Sequence, residues 1–254
     1  MKLHYREMGE GKPFVILHGL FGYSDNWQSH AKKLAEYYRV ILVDLRNHGH
    51  SPWSDDFSYD LMAEDLKELL GDLNIDKITL LGHSMGGKTA MVFAQKYSGY
   101  INKLLVIDMG IVEYPMHHQE IINGLKAIPI GSGLTRTEAE NVLSQYVDSA
   151  GVKQFLLKNL YRDKDKQLAW RMNIPVLEKR MPEILRAITD DTEVFAPSLF
   201  VRGELSNYIL DEDWEGIENL FPDSKLETIS NAGHWVHAEA PKEFLDAVLS
   251  FCLR

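Results

Sequence analysis

The apolar positions of this chain fall in short unbroken runs rather than in strict alternation. Pro13-Phe14-Val15-Ile16-Leu17, Val40-Ile41-Leu42-Val43, Ile78-Thr79-Leu80-Leu81, Leu104-Leu105-Val106-Ile107 and Ser198-Leu199-Phe200-Val201 are the clearest. A strand that is apolar at consecutive positions has both faces covered, which predicts a buried, mostly parallel sheet. Leu226-Glu227-Thr228-Ile229 resumes the strand pattern, and residues 3–7 suit an edge strand. Helical spacing separates these runs. Trp27 to Tyr38 reads as one helix; Met62, Leu66, Leu69, Leu70 and Leu73 share a helical face; Ala90, Phe93, Ala94 and Tyr97 share another. Pro241 opens a last helix carrying Phe244, Leu245, Val248, Leu249 and Phe251. Strands alternating with helices predict an α/β fold with a doubly wound sheet.

From about residue 111 to 192 the alternation stops. Helical segments are expected near 116–127, 135–148, 152–161 and 182–189, with no strand, and with Gly131-Ser132-Gly133 among them. The interruption falls between two strands, at the carboxyl ends where open α/β sheets bind ligands. It predicts a core of residues 1–110 and 193–254 roofed by a helical cap of residues 111–192.

Composition narrows the function without deciding it. The chain has 254 residues, 45% hydrophobic and 25% charged, which suits one large soluble domain or a core with an insertion. A formal charge of −10 argues against nucleic acid or an anionic membrane surface as the main partner. The single Cys252 excludes an intramolecular disulfide and fits a reducing compartment. No signal-peptide run opens the chain and no apolar run approaches 18 residues, so a cytoplasmic monomer or homodimer is expected.

The candidate chemistry begins at Gly82-His83-Ser84-Met85-Gly86, which joins a strand to a helix. Such a turn strains its central residue, small neighbours leave it room, and the serine oxygen projects beside a helix N-terminus. Three fixed positions match by accident in roughly one such chain in ten. The alternative is a turn serine that merely caps its helix. A nucleophilic serine needs a base and an orienting anion. His234, in Asn231-Ala232-Gly233-His234-Trp235 between the last strand and the last helix, suits the base, and His237 is its competitor. His83 should point away from the apex. His18, His48 and His50 are expected to hold backbone, and His117-His118 to lie on the cap surface. The oxyanion donors are assigned to the backbone N–H groups of Leu20 and Met85. No metal and no organic cofactor are called for.

Four motifs stand in one order: His18-Gly19-Leu20-Phe21-Gly22, Asp44-Leu45-Arg46-Asn47-His48-Gly49-His50-Ser51-Pro52, Gly82-His83-Ser84-Met85-Gly86-Gly87 and Gly233-His234-Trp235. In these the chain resembles the α/β-hydrolases, and within them the small YbfF-type and ABHD11-like esterases. The resemblance implies an acid after the strand Ser198–Arg202, in a Gly-x-x-Asp pattern, but the chain reads Gly203-Glu204-Leu205-Ser206 there. Asp108, at the end of the preceding core strand, is assigned instead, as in the YbfF-like proteins, with Ser206 adding a hydrogen bond. Asp211 and Asp213 stay open as alternatives. Asp44 and Arg46 are expected to lock their loop, with Asn47 and Ser51 bonding backbone. Phe21, Trp235 and cap residues are expected to form an apolar acyl pocket.

The implied activity is a serine hydrolase acting on carboxylic esters or thioesters of small to medium acyl groups. Carbon–carbon bond hydrolysis, peptide cleavage and perhydrolysis would use the same triad, whereas dehalogenation would want an aspartate at position 84. A catalytically silent hydrolase fold that only binds is the alternative from another class.

Overall fold

The computed structural model describes every residue except Ser132 and Arg254, so Ser132 of the Gly131-Ser132-Gly133 stretch lies outside the described residues. The first half alternates β1 (Tyr5–Met8), β2 (Pro13–Leu17), α1 (Gln28–Leu34), β3 (Arg39–Val43), α2 (Tyr59–Asp72), β4 (Ile78–His83), α3 (Met85–Lys96) and β5 (Ile101–Ile107). The chain then leaves the sheet for α4 (Gln119–Ala127), α5 (Arg136–Leu143), α6 (Ala150–Leu157), β6 (Leu160–Arg162), β7 (Leu168–Trp170), α7 (Ile174–Lys179) and α8 (Met181–Leu185). It returns through β8 (Ser198–Gly203), α9 (Trp214–Leu220), β9 (Ser224–Ile229), α10 (Val236–Glu239) and α11 (Pro241–Cys252).

Seven strands form one sheet in the order β1-β3-β2-β4-β5-β8-β9. Only β1 runs antiparallel, pairing Tyr5 with Val43 at the edge; β2 to β5, β8 and β9 are parallel to their neighbours. Along β2, Val15 and Leu17 pack with α2 and α3, whereas Phe14 and Ile16 pack with α1 and α11. The unbroken apolar runs are explained by this two-sided cover: each neighbouring side chain enters a different core. In α11, Phe244 and Val248 are fully buried, and each contributes roughly 1.5–3 kcal/mol by leaving water.

Two expectations need correction. Residues Trp27 to Tyr38 do not form one helix: Ser24–Trp27 is a 3-10 turn, and Trp27, at φ −104° and ψ 0°, precedes the α-helix that starts at Gln28. The cap is not purely helical. It contains the β6–β7 hairpin, in which Leu160 pairs with Trp170. Its turn is held by Asp163, whose Oδ1 accepts from the N–H groups of Asp165 and Gln167, both at 2.9 Å, while Lys166 adopts φ 61°. Strands of three residues are too short to display a period of two. The last predicted cap helix, 182–189, is found as the shorter α8, Met181–Leu185, with Pro182 in its first turn, and α7 precedes it over a stretch where no helix is expected.

The cap is fastened to the core by long polar side chains on α2 and α3. The Tyr59 hydroxyl donates to the Ile184 carbonyl at 2.6 Å, and Gln95 Nε2 donates to Asp190 at 2.7 Å. Lys88, with no exposed surface, donates to the carbonyls of Val112 at 2.9 Å, Leu185 at 3.3 Å and Arg186. It thus grips the chain where it leaves the sheet and where it comes back. Burial, followed by the nearby Arg186 charge, pushes the Lys88 ammonium down to about 7. Replacing Lys88 by Met should strand buried carbonyls and cost about 2–3 kcal/mol. Urea unfolding measures this, and an unchanged midpoint would show that the ammonium does not tether the cap.

Candidate active site

Ser84 occupies the single residue between β4 and α3, at φ 54° and ψ −122°. Its own N–H still pairs with Ile107 O at 3.1 Å, so the strand ends rigidly and the turn follows at once. The turn is tight enough to exclude side chains on both flanks. A Cβ on Gly82 would lie 2.1 Å from the Gly86 carbonyl oxygen, and one on Gly86 would lie 2.5 Å from the carbonyls of Leu17 and His18. The Ser84 hydroxyl does not cap α3. It lies 3.0 Å from His234 Nε2 instead, which removes the capping alternative.

His234 Nδ1 is 2.8 Å from Asp108 Oδ2. The carboxylate accepts, so Nδ1 carries the proton and Nε2 offers its lone pair to the Ser84 hydroxyl. Asp108 is fully buried at the end of β5, with φ 47°, a left-handed backbone that aspartate tolerates better than most residues. Its Oδ1 accepts from Gly203 N–H at 3.0 Å, and the Ser206 hydroxyl donates to Oδ2. The alternative acids lie elsewhere. Asp211 is exposed and paired with Arg202 at 2.7 Å, and Asp213 accepts from Leu210 N–H at 2.9 Å.

Above Ser84 is a cavity of about 210 Å³ with mainly apolar walls. Leu20, Phe21, Trp235 and cap residues Ile121, Val152 and Phe155 all line it. Leu20 and Met85 also border a smaller adjoining space beside Ser84. The loop that carries Leu20 and Phe21 is fixed from two sides. Phe21, at φ 59°, donates its N–H to His48 Nε2 at 3.2 Å, and its carbonyl accepts from cap residue Asn159 at 2.7 Å. His18 Nε2 accepts from Leu45 N–H at 3.0 Å, so His18 and His48 do hold backbone. Asp44 accepts from Ser24 N–H at 2.7 Å and His50 N–H at 2.9 Å, and Arg46 binds Asp65 at 2.7 Å. Asn47 donates to Ser54 O at 3.0 Å and Ser51 to Asp44 O, which completes the lock on that loop.

A strand–turn–helix serine joined through histidine to a carboxylate at a neighbouring strand end agrees with the comparison to known families. A profile described as the alpha/beta hydrolase fold matches residues 12–241. The chain belongs to the α/β-hydrolase family. This hydrolase is 37% identical to the esterase YbfF of Escherichia coli (strain K12) over 98% of both chains. It is 38% identical to the sn-1-specific diacylglycerol lipase ABHD11 of Mus musculus, over 93% of this chain and 80% of that one. The structure of a marine microorganism esterase, 45% identical, superposes with a TM-score of 0.96 over 98% of this chain and 99% of that one. No helix among the described residues is long and apolar enough to cross a membrane.

The hydrolase departs from its sequence reading at several histidines. His117 is exposed on the cap, as expected, and His118 is half-buried, but both also line the cavity over Ser84. Burial, followed by the charges of His117 and His234, pushes His118 down to about 3. His83, expected to point away from the apex, borders the same cavity and donates Nε2–H to the His234 carbonyl at 2.9 Å, which steadies the loop of the candidate base. His237 is stacked on Trp27 at 4.2 Å and 16°, and burial with the neighbouring His83 and His30 holds it neutral. Tyr208, missed in the sequence, lies flat on the His234 ring. No spacing rule marks it, because the loop that carries it has no regular structure.

Among the described residues one grouping, His4, Asp44 and His50, has metal-ligand proximity. Both Asp44 oxygens already accept backbone N–H groups, and an Arg171 guanidinium N–H donates to His50 Nε2 at 2.7 Å. The proton of His50 then sits on Nδ1 facing Asp44 at 3.3 Å, so a cation would have to displace a satisfied network.

The buried neutral histidines give the fold a defined acid response. Burial, with some repulsion from neighbouring histidines, pushes both His48 and His83 down to about 3, whereas an unfolded histidine titrates near 6.5. Their contribution is complete above pH 6.5 and is lost as pH falls towards 3, because the unfolded chain takes up protons that the folded chain refuses. At pH 5 each should cost about 2 kcal/mol relative to neutral pH. Denaturant unfolding at pH 7.5 and 5 measures the sum; an equal stability at the two values would contradict it.

Proposed function

We propose that this chain is a serine hydrolase that cleaves carboxylic esters or thioesters of small to medium acyl groups through an acyl-enzyme on Ser84. One observation carries the reading: the hydrogen-bond chain from Ser84 through His234 to the buried Asp108 opens into an apolar cavity. The esterase and lipase names of its relatives support the same reaction class. His234 takes the Ser84 proton as the oxygen attacks the acyl carbonyl, and Asp108 orients and stabilises the imidazolium. The amides of Leu20 and Met85 donate to the oxyanion, and α3 aims its N-terminal dipole at it. His234 then protonates the leaving group, and water, activated by the same base, releases the acid. No cofactor is needed.

A cavity of about 210 Å³ falls below the roughly 300 Å³ at which drug-sized sites begin, which suits a short or medium acyl chain. Core residues 1–110 and 193–254 supply the triad, and the cap, 111–192, supplies much of the acyl wall. Its one cysteine is buried and free, which suits a reducing cytoplasm. Monomer and homodimer are both compatible with a site built from one chain.

Three variants test the assignment with p-nitrophenyl esters. Ser84→Ala should abolish turnover and labelling by a fluorophosphonate. Asp108→Asn should lower kcat on the order of 10⁴-fold, by analogy with the serine-protease aspartate. Asp211→Asn should leave kcat within a few fold. Collapse in Asp211→Asn alone would reassign the acid, and wild-type protein that forms no fluorophosphonate adduct at Ser84 would favour a binding module.

A further inference from the structure

The imidazole of His234 is held on its edges by Ser84 and Asp108, but those contacts alone leave its plane free to tilt. Tyr208 covers the ring. The two rings are 3.9 Å apart between centroids and 19° from parallel, a face-to-face contact between the cap side of the β8 loop and the candidate base. The hydroxyl of the same tyrosine is hydrogen-bonded to Nε2 of His117, in the cap segment that precedes α4. His117 Nδ1 lies 2.7 Å from the Pro115 carbonyl, so that nitrogen is the donor and Nε2 must accept from the tyrosine. Burial, followed by the Asp108 charge, raises the Tyr208 hydroxyl above its ordinary range, so it stays a donor at neutral pH.

The backbone of Tyr208 repeats the pattern. Its carbonyl accepts from the Tyr114 hydroxyl at 2.6 Å, and its N–H points at the Ser206 oxygen at 3.3 Å. Ser206 in turn binds Asp108. Tyr208 therefore touches the base through its ring, the acid through Ser206, and the cap through His117 and Tyr114. It does so from an irregular segment, between β8 and α9, that has no helix or strand of its own to fix it.

We propose that Tyr208 is a positioning residue, whose ring sets the plane of His234 and whose hydroxyl lets His117 of the cap hold that plane. The cap is then more than a wall of the acyl pocket, because its seating on the core aligns the base with Ser84. The inference rests on the serine-hydrolase reading above. Its physical basis is the steepness of the geometric requirement: a base misplaced by about 1 Å can cost on the order of 100-fold in rate. A ring lying on the imidazole face also favours the cation that forms when His234 takes its proton.

The test uses the full chain, p-nitrophenyl acetate as a substrate too small to need the distal pocket, and a small fluorophosphonate as a second readout. Tyr208→Leu should lower kcat and the labelling rate of Ser84 roughly 10- to 100-fold, with KM changed much less. Tyr208→Phe keeps the ring and should restore most of that loss, remaining a few fold below wild type. His117→Ala should match Tyr208→Phe, and the double variant should be no worse than either, since both remove one bond. If Tyr208→Leu raised KM at unchanged kcat, Tyr208 would be pocket wall only and the proposal would fail. Additive losses from Tyr208→Phe and His117→Ala would refute the tether. Should Tyr208→Leu fold poorly, the Phe and His117 variants carry the test. Wild-type protein that the fluorophosphonate does not label would bring down the hydrolase reading itself, and this inference with it.

Discussion

A fully buried carboxylate imposes the strictest demand on this structure. Removing the Asp108 charge from water costs several kcal/mol unless donors replace the lost hydration. Those donors are the Gly203 N–H, the Ser206 hydroxyl and the His234 ring N–H, and they come from three places in the last quarter of the chain. The end of β5 therefore has to meet the end of β8 and the loop after β9 at one point. The whole cap intervenes between Asp108 and β8, and the chain must return from it in register. The parallel pairing of β5 with β8, from Leu104 with Ser198 to Ile107 with Val201, is what secures that return.

The Ser84 end of the site obeys a different constraint, close approach. Ser84 can reach His234 only because β4 and α3 come against β2 with no side chains at Gly82 and Gly86. That contact also places the Leu20–Phe21 loop beside Ser84. The loop is then pinned by His48 from the core and by Asn159 from the cap. Polar side chains elsewhere repeat this arrangement, with Tyr59, Lys88 and Gln95 all reaching from core helices to carbonyls of the cap stems. The roof over the site is thus tied to the core by hydrogen bonds at several points, including the Leu20–Phe21 loop that borders the cavity.

Reading the sequence succeeded where the deciding physics is local. Ser84 at a turn follows from two glycines and the apolar run before them. The two-sided sheet follows from runs that do not alternate, and the start of α11 follows from Pro241. The cap hairpin was hidden because three-residue strands carry no period, and the helix break before Gln28 because Trp27 is compatible with helix in sequence alone. That His117 and His118 border the cavity could not be read on paper, since nothing within several residues of them says which way the cap faces.

The sequence by itself thus determined the layered α/β architecture, the strand–turn–helix around Ser84 and the loop that carries His234. These depend on backbone sterics and on apolar periodicity, which act over a few residues. The sequence reading assigns Asp108 but leaves Asp211 and Asp213 open; only the tertiary structure set Asp108 against His234, with Asp211 on Arg202. Only it showed that His83 supports the same loop and that Tyr208 stacks on the imidazole. Asp108 and His234 are 126 residues apart in the chain. Their meeting depends on strand register and on the seating of the cap, which are properties of the packed whole, and no short stretch of sequence encodes either.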